Sequence, residues 1–380
     1  MKSLFKIALI LLPGLVYAGD PNDDQVSRTV TRSYSMTNEG NLELINKYGQ
    51  VVITQWDKDS VSFNIEIIGY GKTRSDARKT LERVDIDFDK TSQYLTVETV
   101  FDRASNFVVE VWKNFSDESR AILSKSKIEI NYEIFVPAGM DITLDNRYGD
   151  VFLNEMDGKL NLEIMHGNLR ANNINSNSTV QVGFGDVRIK YLKSGRLDLK
   201  AADGNIVKVG NIDINSGSSE LVIREADRVR IDSRSDKRIR LNDVKSLSGK
   251  GLFSNISVGT LRNSLEMDMS YGDIRAENIL FNFSRIDIDS KSTDMDLHLN
   301  SKSYITVEIE GNEQDMFLPM VFNNLDRKQT DSKKKLVLLS GKVGSRNNYP
   351  AILNIYAQGG DVNISYEDRE ENEANNSDKY

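Results

Sequence analysis

The residue types that most often carry enzyme chemistry are scarce in this chain of 380 residues. It contains two histidines, His166 and His298, and no cysteine. His166 occupies a repeat position that elsewhere holds tyrosine or phenylalanine, so we interpret it as a packing residue. His298 alternates with Leu297 and Leu299 on a predicted strand, and we expect it to point to solvent. The sequence therefore predicts no zinc site, no cofactor and no Ser–His or Cys–His nucleophile.

One glycine-rich segment, residues 69–73, resembles a phosphate-binding loop between a strand and a helix. A Walker motif requires a glycine five positions before Gly71, and that position holds Glu66. The dinucleotide-binding pattern fails as well, because Asp76 and Ala77 stand where its later glycine is required. We therefore predict a strand-to-helix turn at this segment and no nucleotide site.

Carboxylates are plentiful, so a pair of acids for glycoside chemistry is available. Some parallel β-helices cleave polysaccharides, and a carbohydrate-active lyase or hydrolase is the enzymatic alternative. The acids and amides nevertheless recur at predicted turns, namely at Asp150, Asn168, Asp186, Asn205 and Asp273. A catalytic pair is needed once, whereas turn chemistry recurs with every repeat. We therefore predict that the chain is not an enzyme.

A short internal repeat supplies most of the structural information. The copies are Tyr-Gly-Asp-Val at 148–151, His-Gly-Asn-Leu at 166–169, Phe-Gly-Asp-Val at 184–187, Asp-Gly-Asn-Ile at 203–206 and Tyr-Gly-Asp-Ile at 271–274. Successive glycines are 18, 18 and 19 residues apart, and the last interval of 68 holds four steps of 17. Related sequences stand at 48–51 and 360–362. A fixed short period of this kind is typical of solenoids.

Each repeat is predicted to contain a strand, a Gly-Asp or Gly-Asn turn and a second strand. Polar and apolar residues alternate around the turns, as in half-buried strands. We expect the glycine to supply a positive φ and the Asp or Asn to cap the turn. One repeat cannot bury its apolar face alone, so stacked repeats must form a shared core. The predicted fold is all-β: a short-period β-solenoid with a strand-rich N-terminal region that carries one or two short helices.

Two sets of outward residues are candidates for a binding surface. Arg170, Arg188 and Arg275 share the position two residues after the turn Asp or Asn. Phe152 and Val207 are expected to fill the same position in other repeats and to interrupt the basic row. The arginines are therefore either a solvated face or a binding stripe.

The second set is aromatic. Tyr148, Phe184 and Tyr271 occupy the position immediately before the turn glycine. Exposed rings in a row can stack against sugars, but packing at a corner of the solenoid explains the same residues. Both interpretations remain open at the level of sequence.

The segments outside the repeat differ in composition, and they give five predicted regions: a signal peptide at 1–18, a strand-rich region with short helices at 19–140, solenoid repeats at 141–310, an insertion with closing strands at 311–366, and a disordered acidic tail at 367–380. The first helix is predicted over residues 75–84, and the apolar spacing within 108–115 indicates a second. The insertion at 313–345 carries the basic run at 333–335.

The N-terminus predicts export. Lys2 and Lys6 stand just before an apolar run at residues 7–16. A small-residue cleavage pattern that ends at Ala18 follows the run. The run is too short to span a bilayer, which takes about 20 residues, and we expect no other membrane segment. A net charge of −8 argues against nucleic acid and anionic lipid as the main partner.

The strand-rich N-terminal region together with Asn-Arg-Tyr-Gly-Asp-Val at 146–151 and its repeats resembles the DUF4097-type family of adhesin-like bacterial β-solenoid proteins. The resemblance covers roughly residues 30–366 and rests on the style of the repeat. It implies a protein of the periplasm or cell surface with a non-enzymatic binding or scaffold role. Envelope polysaccharide or a surface protein is the expected partner. The family provides no functional residues to transfer.

Overall fold

The computed structural model describes residues 23–101, 128–332, 335–344 and 350–367. These residues divide into two compact units. The smaller unit holds residues 23–29, 66–85, 100–101 and 128–129, and the larger unit holds the remaining described residues. The predicted signal peptide, the second candidate helix, most of the basic run at 333–335 and the tail from 368 lie outside the described residues.

The described residues of the N-terminal part, 23–101 and 128–137, form seven strands and one helix: β1 (Asp24–Ser35), β2 (Asn41–Lys47), β3 (Val51–Trp56), β4 (Ser60–Gly71), α1 (Arg74–Leu81), β5 (Val84–Lys90), β6 (Tyr94–Phe101) and β7 (Ile128–Pro137). The helix lies where residues 75–84 predict one. Thr73 is the N-cap of the helix: its side chain accepts a hydrogen bond from the Asp76 backbone N–H at 3.2 Å.

The repeats form long strands that stack in parallel: β8 (Asp141–Arg147), β9 (Val151–Met156), β10 (Leu160–Met165), β11 (Leu169–Gly183), β12 (Asp186–Lys200), β13 (Asp203–Gly217), β14 (Glu220–Arg234), β15 (Arg238–Leu252), β16 (Asn255–Ile279) and β17 (Arg285–Asn300). From β11 to β15, each strand runs from one turn to the next and pairs with the strand of the following coil. The first half of such a strand is here called post-turn and the second half pre-turn.

Alternation along the strands builds the core. In β12 the inward residues of the post-turn half include Val187 and Ile189, and those of the pre-turn half are Leu197 and Leu199. All four are at most 4% exposed. Register places equivalent residues of adjacent coils next to one another, so Leu197 lies between Val180 and Ile214. The shared apolar interior explains why the repeats fold as a stack.

The stack extends below the clearest repeats. Strand β2 pairs in parallel with β8 on one side and with β6 on the other. Strand β3 likewise pairs with β9 and with β7. Residues 41–56 therefore form a coil directly beneath the coil of β8 and β9, and Tyr48 lies in its turn.

The other end of the stack closes with short strands and two 3-10 helices: β18 (Ile305–Asn312), η1 (Glu313–Asp315), β19 (Met316–Phe317), η2 (Met320–Asn324), β20 (Asp326–Asp331), β21 (Leu336–Val343), β22 (Ala351–Gln358) and β23 (Val362–Glu367). Strands β22 and β23 stack on the two halves of β17, and β18 stacks on β22. Strand β21 is antiparallel to β18, and β20 is antiparallel to β21. The exposed β20 carries Arg327 and Lys328, and charges on an outer strand discourage edge-to-edge pairing.

The architecture confirms the predicted all-β solenoid with a strand-rich N-terminal region and a short helix. In the part of the chain that the structure describes, no helix has both the length and the apolar character needed to cross a membrane.

Candidate functional site

One turn position recurs along the stack, and its residue, here called the turn residue, adopts the left-handed backbone conformation. Its φ lies between +47° and +65° at Tyr48, Tyr148, His166, Phe184, Ala201, Ser218, Ser235, Phe253, Tyr271 and Ser292. Its backbone N–H donates to a carbonyl of the next coil, as from Tyr148 to Met165 at 2.9 Å and from Ser218 to Arg234 at 3.0 Å. The expectation that the glycine supplies the positive φ is wrong, because the left-handed residue precedes the glycine.

A glycine is required after the turn residue for a different physical reason, which is that adjacent coils approach each other closely at this position. A Cβ added to Gly149 would lie 1.8 Å from the carbonyl oxygen of Gly49. On Gly167 it would lie 2.0 Å from the carbonyl oxygen of Gly149, and on Gly185 it would lie 2.0 Å from that of Gly167. These separations are far shorter than any van der Waals contact, so a side chain would force the coils apart.

The copy at 203–206 is out of register with the others. Asp186 pairs with Asp203, and Val187 therefore pairs with Gly204. The turn residue of that coil is Ala201, and Ala202 follows it. The spacing of 19 between Gly185 and Gly204 thus joins two different positions, whereas the turn residues Phe184 and Ala201 are 17 apart.

Four successive turn residues carry stacked rings, here called the first ring column: Tyr48, Tyr148, His166 and Phe184. The ring centroids are 5.4, 5.0 and 4.8 Å apart in that order, and the planes are within 12° of parallel. His166 lies between two rings, and burial lowers the pKa of its imidazole. Offset stacking of this kind adds about 0.5–1.5 kcal/mol per pair.

A second ring column stands higher in the stack and consists of Phe253 and Tyr271. Their centroids are 5.1 Å apart with an interplanar angle of 16°. The Lys291 ammonium lies 5.6 Å from the Tyr271 centroid, on the coil above. Tyr271 is therefore not a neighbour of Tyr148 and Phe184, with which the sequence grouped it, although it occupies the same turn position.

Three coils separate the two ring columns, and their turn residues have no ring. This interruption, here called the notch, consists of Ala201, Ser218 and Ser235. Four coil steps of about 4.8 Å separate Phe184 from Phe253, which places their rings about 19 Å apart. The two bordering rings are 47% and 57% exposed, respectively. The notch is thus an open segment of surface between two accessible aromatic residues.

An open groove of about 700 Å³ lies on the pre-turn halves of β10 to β14. A row of neighbouring residues runs through it: Met165, Gly183, Lys200, Gly217 and Arg234. The last three members of this row immediately precede the three turn residues of the notch. Gly217 leaves room for a ligand between Lys200 and Arg234, whereas the Met165 side chain covers Gly183, where an added Cβ would lie 2.8 Å from Met165 Sδ.

Polar side chains line the groove in paired positions. The Arg196 Nε lies 2.9 Å from Asp198 Oδ2, and the Arg234 Nε lies 3.2 Å from Asp232 Oδ1. Asn215 Nδ2 donates to Asp198 Oδ1 at 2.6 Å. The basic and acidic side chains in the lining are equal in number: Arg196, Lys200, Arg234, Glu163, Asp198 and Asp232. The groove therefore has no net formal charge.

The predicted arginine row is real but interrupted. Arg170 and Arg188 are neighbours in register, and the Arg170 guanidinium lies 5.7 Å from the centroid of Phe152 in the coil below. The position above Arg188 holds Asn205. The sequence analysis had predicted Val207 at this position. The error arises because the copy at 203–206 lies two residues later in its coil than the other copies do in theirs.

The upper arginine is paired with acid. Arg275 Nε lies 3.3 Å from Asp296 Oδ2, and Arg188 Nη2 lies 3.5 Å from Asp186 Oδ2. Sequence reasoning missed Arg240, which occupies the same row two coils above Asn205. Because Asn205 and Val222 separate Arg188 from Arg240, the row is not a continuous basic stripe.

The recurrent acids and amides at the turns connect successive coils. Asp150 Oδ1 accepts the backbone N–H of Asn168 at 2.9 Å, and Asn168 Oδ1 accepts that of Asp186 at 2.8 Å. Asp294 accepts the N–H of Asp361 in the same way at 2.9 Å. These contacts support the turn interpretation of the acids, with the difference that each side chain caps the next coil. Among the residues described, no group of three or more acids and histidines is arranged to hold a metal ion.

The comparison with known families decides the assignment of the chain. Residues 40–365 match the family model for Toastrack DUF4097. The chain belongs to this family. The match covers most of the sequence, including both ring columns, the notch and the groove. No curated protein matches the chain.

Two solved structures are similar to this Toastrack chain. One is named a putative adhesin from Bacteroides fragilis NCTC 9343; it is 15% identical with a TM-score of 0.34, and the match covers 71% of this chain and 97% of that one. The other is named a putative cell adhesion protein from Clostridium sporogenes ATCC 15579; it is 9% identical with a TM-score of 0.20, and the match covers 91% and 100%.

In this Toastrack chain His298 lies on the outward face of β17 between the buried Leu297 and Leu299, as predicted, but two polar partners leave it only partly exposed. Its Nδ1 lies 2.8 Å from Ser365 Oγ, and its Nε2 lies 3.0 Å from Asp296 Oδ1. His298 and Ser365 face each other in register on β17 and β23. The hollow that they line has no space for a water molecule. We interpret the group as a bridge between strands.

In residues 69–73, the segment that resembles a phosphate-binding loop, the two glycines allow close packing within the smaller unit. A Cβ on Gly69 would lie 2.5 Å from the Ala77 carbonyl oxygen, and one on Gly71 would lie 2.4 Å from the Ala77 backbone nitrogen. Helix α1 therefore lies directly against the end of β4. This contact explains both glycines without a ligand.

The sequence pattern missed Phe253 because no glycine follows it. The residue after Phe253 is Ser254, so this coil lacks the aromatic-Gly pair that marks Tyr148, Phe184 and Tyr271. A signal was nevertheless present, because Phe253 stands 18 residues before Tyr271, which is the repeat length.

Proposed function

We propose that this chain is an exported, non-enzymatic protein of the bacterial cell envelope that binds other surfaces through its repeat surface. The observation that carries the proposal is the pair of ring columns. Phe184, Phe253 and Tyr271 are 42–57% exposed, although folding requires apolar residues in the interior and not at these turns. Large rings that are held in fixed positions and exposed to solvent are characteristic of binding surfaces.

The proposed surface includes the residues that the sequence singled out: Tyr148, Phe184, Tyr271, Arg170, Arg188 and Arg275. Envelope polysaccharide is the partner that this surface favours. Exposed rings offer flat apolar faces, and the charged and amide side chains beside them offer hydrogen bonds in fixed directions. Rigid strands hold both sets in place, which lowers the entropic cost of binding.

Export is the second part of the proposal. The basic and apolar residues of segment 1–18 form a secretory signal pattern, and cleavage after Ala18 would deliver the chain to the periplasm or cell surface. The absence of cysteine means that the exported chain does not depend on disulfide formation.

The experiment has two parts. Protein recovered from the exporting cells is subjected to N-terminal sequencing, and we expect it to begin at Gly19. The same protein is then incubated with intact bacterial cells and with isolated envelope polysaccharides, and binding and released products are measured together. We expect saturable binding without shortened glycans.

Two variants locate the surface. We expect Phe184→Ala combined with Tyr271→Ala to weaken cell binding at least about fivefold. The triple variant Arg170→Ala, Arg188→Ala, Arg275→Ala should weaken it less, because Arg188 and Arg275 are already paired with acids. Release of shortened glycans would contradict the non-enzymatic proposal and favour a polysaccharide lyase or hydrolase. Loss of binding after protease treatment of the cells would point to a surface protein as the partner.

A further inference from the structure

We infer that the notch and the adjacent groove form a single binding site for an uncharged oligosaccharide. This inference rests on the proposed function and makes it specific, because it assigns the ligand to one part of the repeat surface. The site lies on the coils of β10 to β14 and is bordered by Phe184 below and Phe253 above.

The rings that border the notch have faces available for a ligand. Within a ring column, each ring covers one face of its neighbour, so Tyr148 and His166, which are each stacked between two rings, offer only their edges. Phe184 stacks on His166 below and has Ala201 above it, and Phe253 stacks on Tyr271 above and has Ser235 below it. One face of Phe184 and one face of Phe253 are therefore turned towards the notch.

The backbone gives no reason for the interruption of the rings. The φ of Ser218 is +55° and that of Phe184 is +57°, and each donates its N–H to the next coil at 3.0 Å. A ring at Ser218 would meet the same backbone as a ring at Phe184. The small residues of the notch are therefore a property of the surface and not a requirement of the turn.

The groove supplies a second and independent observation on the same coils. In the row through the groove, Gly217 stands between Lys200 and Arg234 and opens space directly beside the notch, because a Cβ added to it would lie 3.8 Å from the Arg234 carbonyl oxygen. Asp198 already holds Arg196 and Asn215 through contacts of 2.9 and 2.6 Å. Donors and acceptors are thus fixed in direction before a ligand arrives, which favours specific hydrogen bonding.

The charge of the groove selects among ligands. Three basic and three acidic side chains line it, so its net formal charge is zero. A polyanion would gain little from the three cations because it would also meet the three carboxylates. A neutral sugar satisfies both kinds of group with its hydroxyls and presents its apolar ring face to Phe184 or Phe253.

The test uses isothermal titration calorimetry on the full exported chain. The probes are two neutral oligosaccharides, cellohexaose and chitohexaose, and one anionic oligosaccharide, hexagalacturonate. We expect at least one neutral probe to bind with a Kd below about 1 mM, and the anionic probe to bind at least tenfold more weakly.

Three variants test the position of the site. Ser218→Phe places a ring in the notch, and Phe184→Ala combined with Phe253→Ala removes its borders; each should weaken binding of the neutral probe at least tenfold. Phe281→Ala is the matched control, because Phe281 is 50% exposed but lies outside both ring columns. We expect it to change the Kd by less than twofold. Circular dichroism confirms that each variant is folded.

The outcomes separate this inference from the proposed function. Neutral probes that bind equally well to wild type and Ser218→Phe would overturn the position of the site. Failure of both neutral probes to bind at 1 mM, or preference for the anionic probe, would overturn the ligand class. If intact cells still bind the chain in those cases, the proposed function stands and only the inference fails.

Discussion

The turns that carry rings and the turns of the notch share one backbone but differ in side chain. His166 and Ser218 have φ values of +57° and +55°, and both donate their N–H to the coil above at 2.9–3.0 Å. His166 is stacked between two rings, whereas Ser218 has small turn residues on both sides. The turn conformation therefore comes from the hydrogen bonds between coils, and the side chain at this position is free to vary.

The comparison shows which features serve folding and which serve the surface. Left-handed backbone costs roughly 1–2 kcal/mol for a residue with a Cβ, and the cost is present in both kinds of turn. Ring stacking offsets it in the ring columns, but the notch folds in the same conformation without any rings. Rings are therefore not required for folding, and their pattern marks a surface.

The largest effect is expected where the coils touch. Gly167→Ala places a Cβ 2.0 Å from the Gly149 carbonyl oxygen, so the two coils must separate. We expect destabilisation of about 3 kcal/mol or more, measured as a lower midpoint in urea unfolding. The matched control is Ala202→Gly, because Ala202 follows the turn residue in the notch; it should cost at most about 1 kcal/mol. Equal effects would show that close approach of the coils is not what requires the glycine.

A smaller loss of stability is expected for a substitution in the interior of the coils that carry the first ring column. Asn146 accepts a hydrogen bond from Asn46 Nδ2 at 2.9 Å and donates to the Gly149 carbonyl oxygen at 2.7 Å. Both asparagines are buried, so Asn146→Ala leaves polar groups without partners. We expect destabilisation of about 2 kcal/mol. The control Asn154→Ala, on the exposed side of β9, should change stability by less than about 0.5 kcal/mol.

The smallest effect concerns pH. Burial lowers the pKa of His166 below its ordinary value of 6.5, so the unfolded chain binds a proton more readily than the folded chain. Stability should therefore fall as the pH drops below about 6.5. His166→Phe keeps a ring in the column and removes this proton, so its midpoint in urea should fall less between pH 7.5 and pH 5. An identical fall in both proteins would exclude His166 as a source of the pH dependence.

Much of the fold was predictable because every coil of the solenoid repeats the same alternation of buried and exposed residues. The alternation of Val187, Ile189 and Leu197 with polar residues predicted half-buried strands, and the period of 17–18 predicted their stacking. The role of Gly167 was not predictable, because its reason is a contact with a coil 18 residues away. Local sequence contains no information about how closely two coils approach.

The candidate site was predictable only in part. The sequence identified Tyr148, Phe184 and Tyr271 as one set, since all three precede a glycine. It could not reveal that two of them belong to one column and the third to another, because this depends on the ringless turns between them. The false copy at 203–206 concealed Ala201 as a turn residue and so concealed the notch.

We propose that the turn backbone accepts rings or small residues equally, and that the pattern of rings serves binding. The most direct test is thermal unfolding of the triple variant Ala201→Phe, Ser218→Phe, Ser235→Phe, which joins the two ring columns. Four new ring neighbours should form, each worth about 0.5–1.5 kcal/mol at most. We expect a Tm equal to or above that of the wild type, together with loss of oligosaccharide binding. A clearly lower Tm would show that folding itself requires the small residues, and it would contradict the claim.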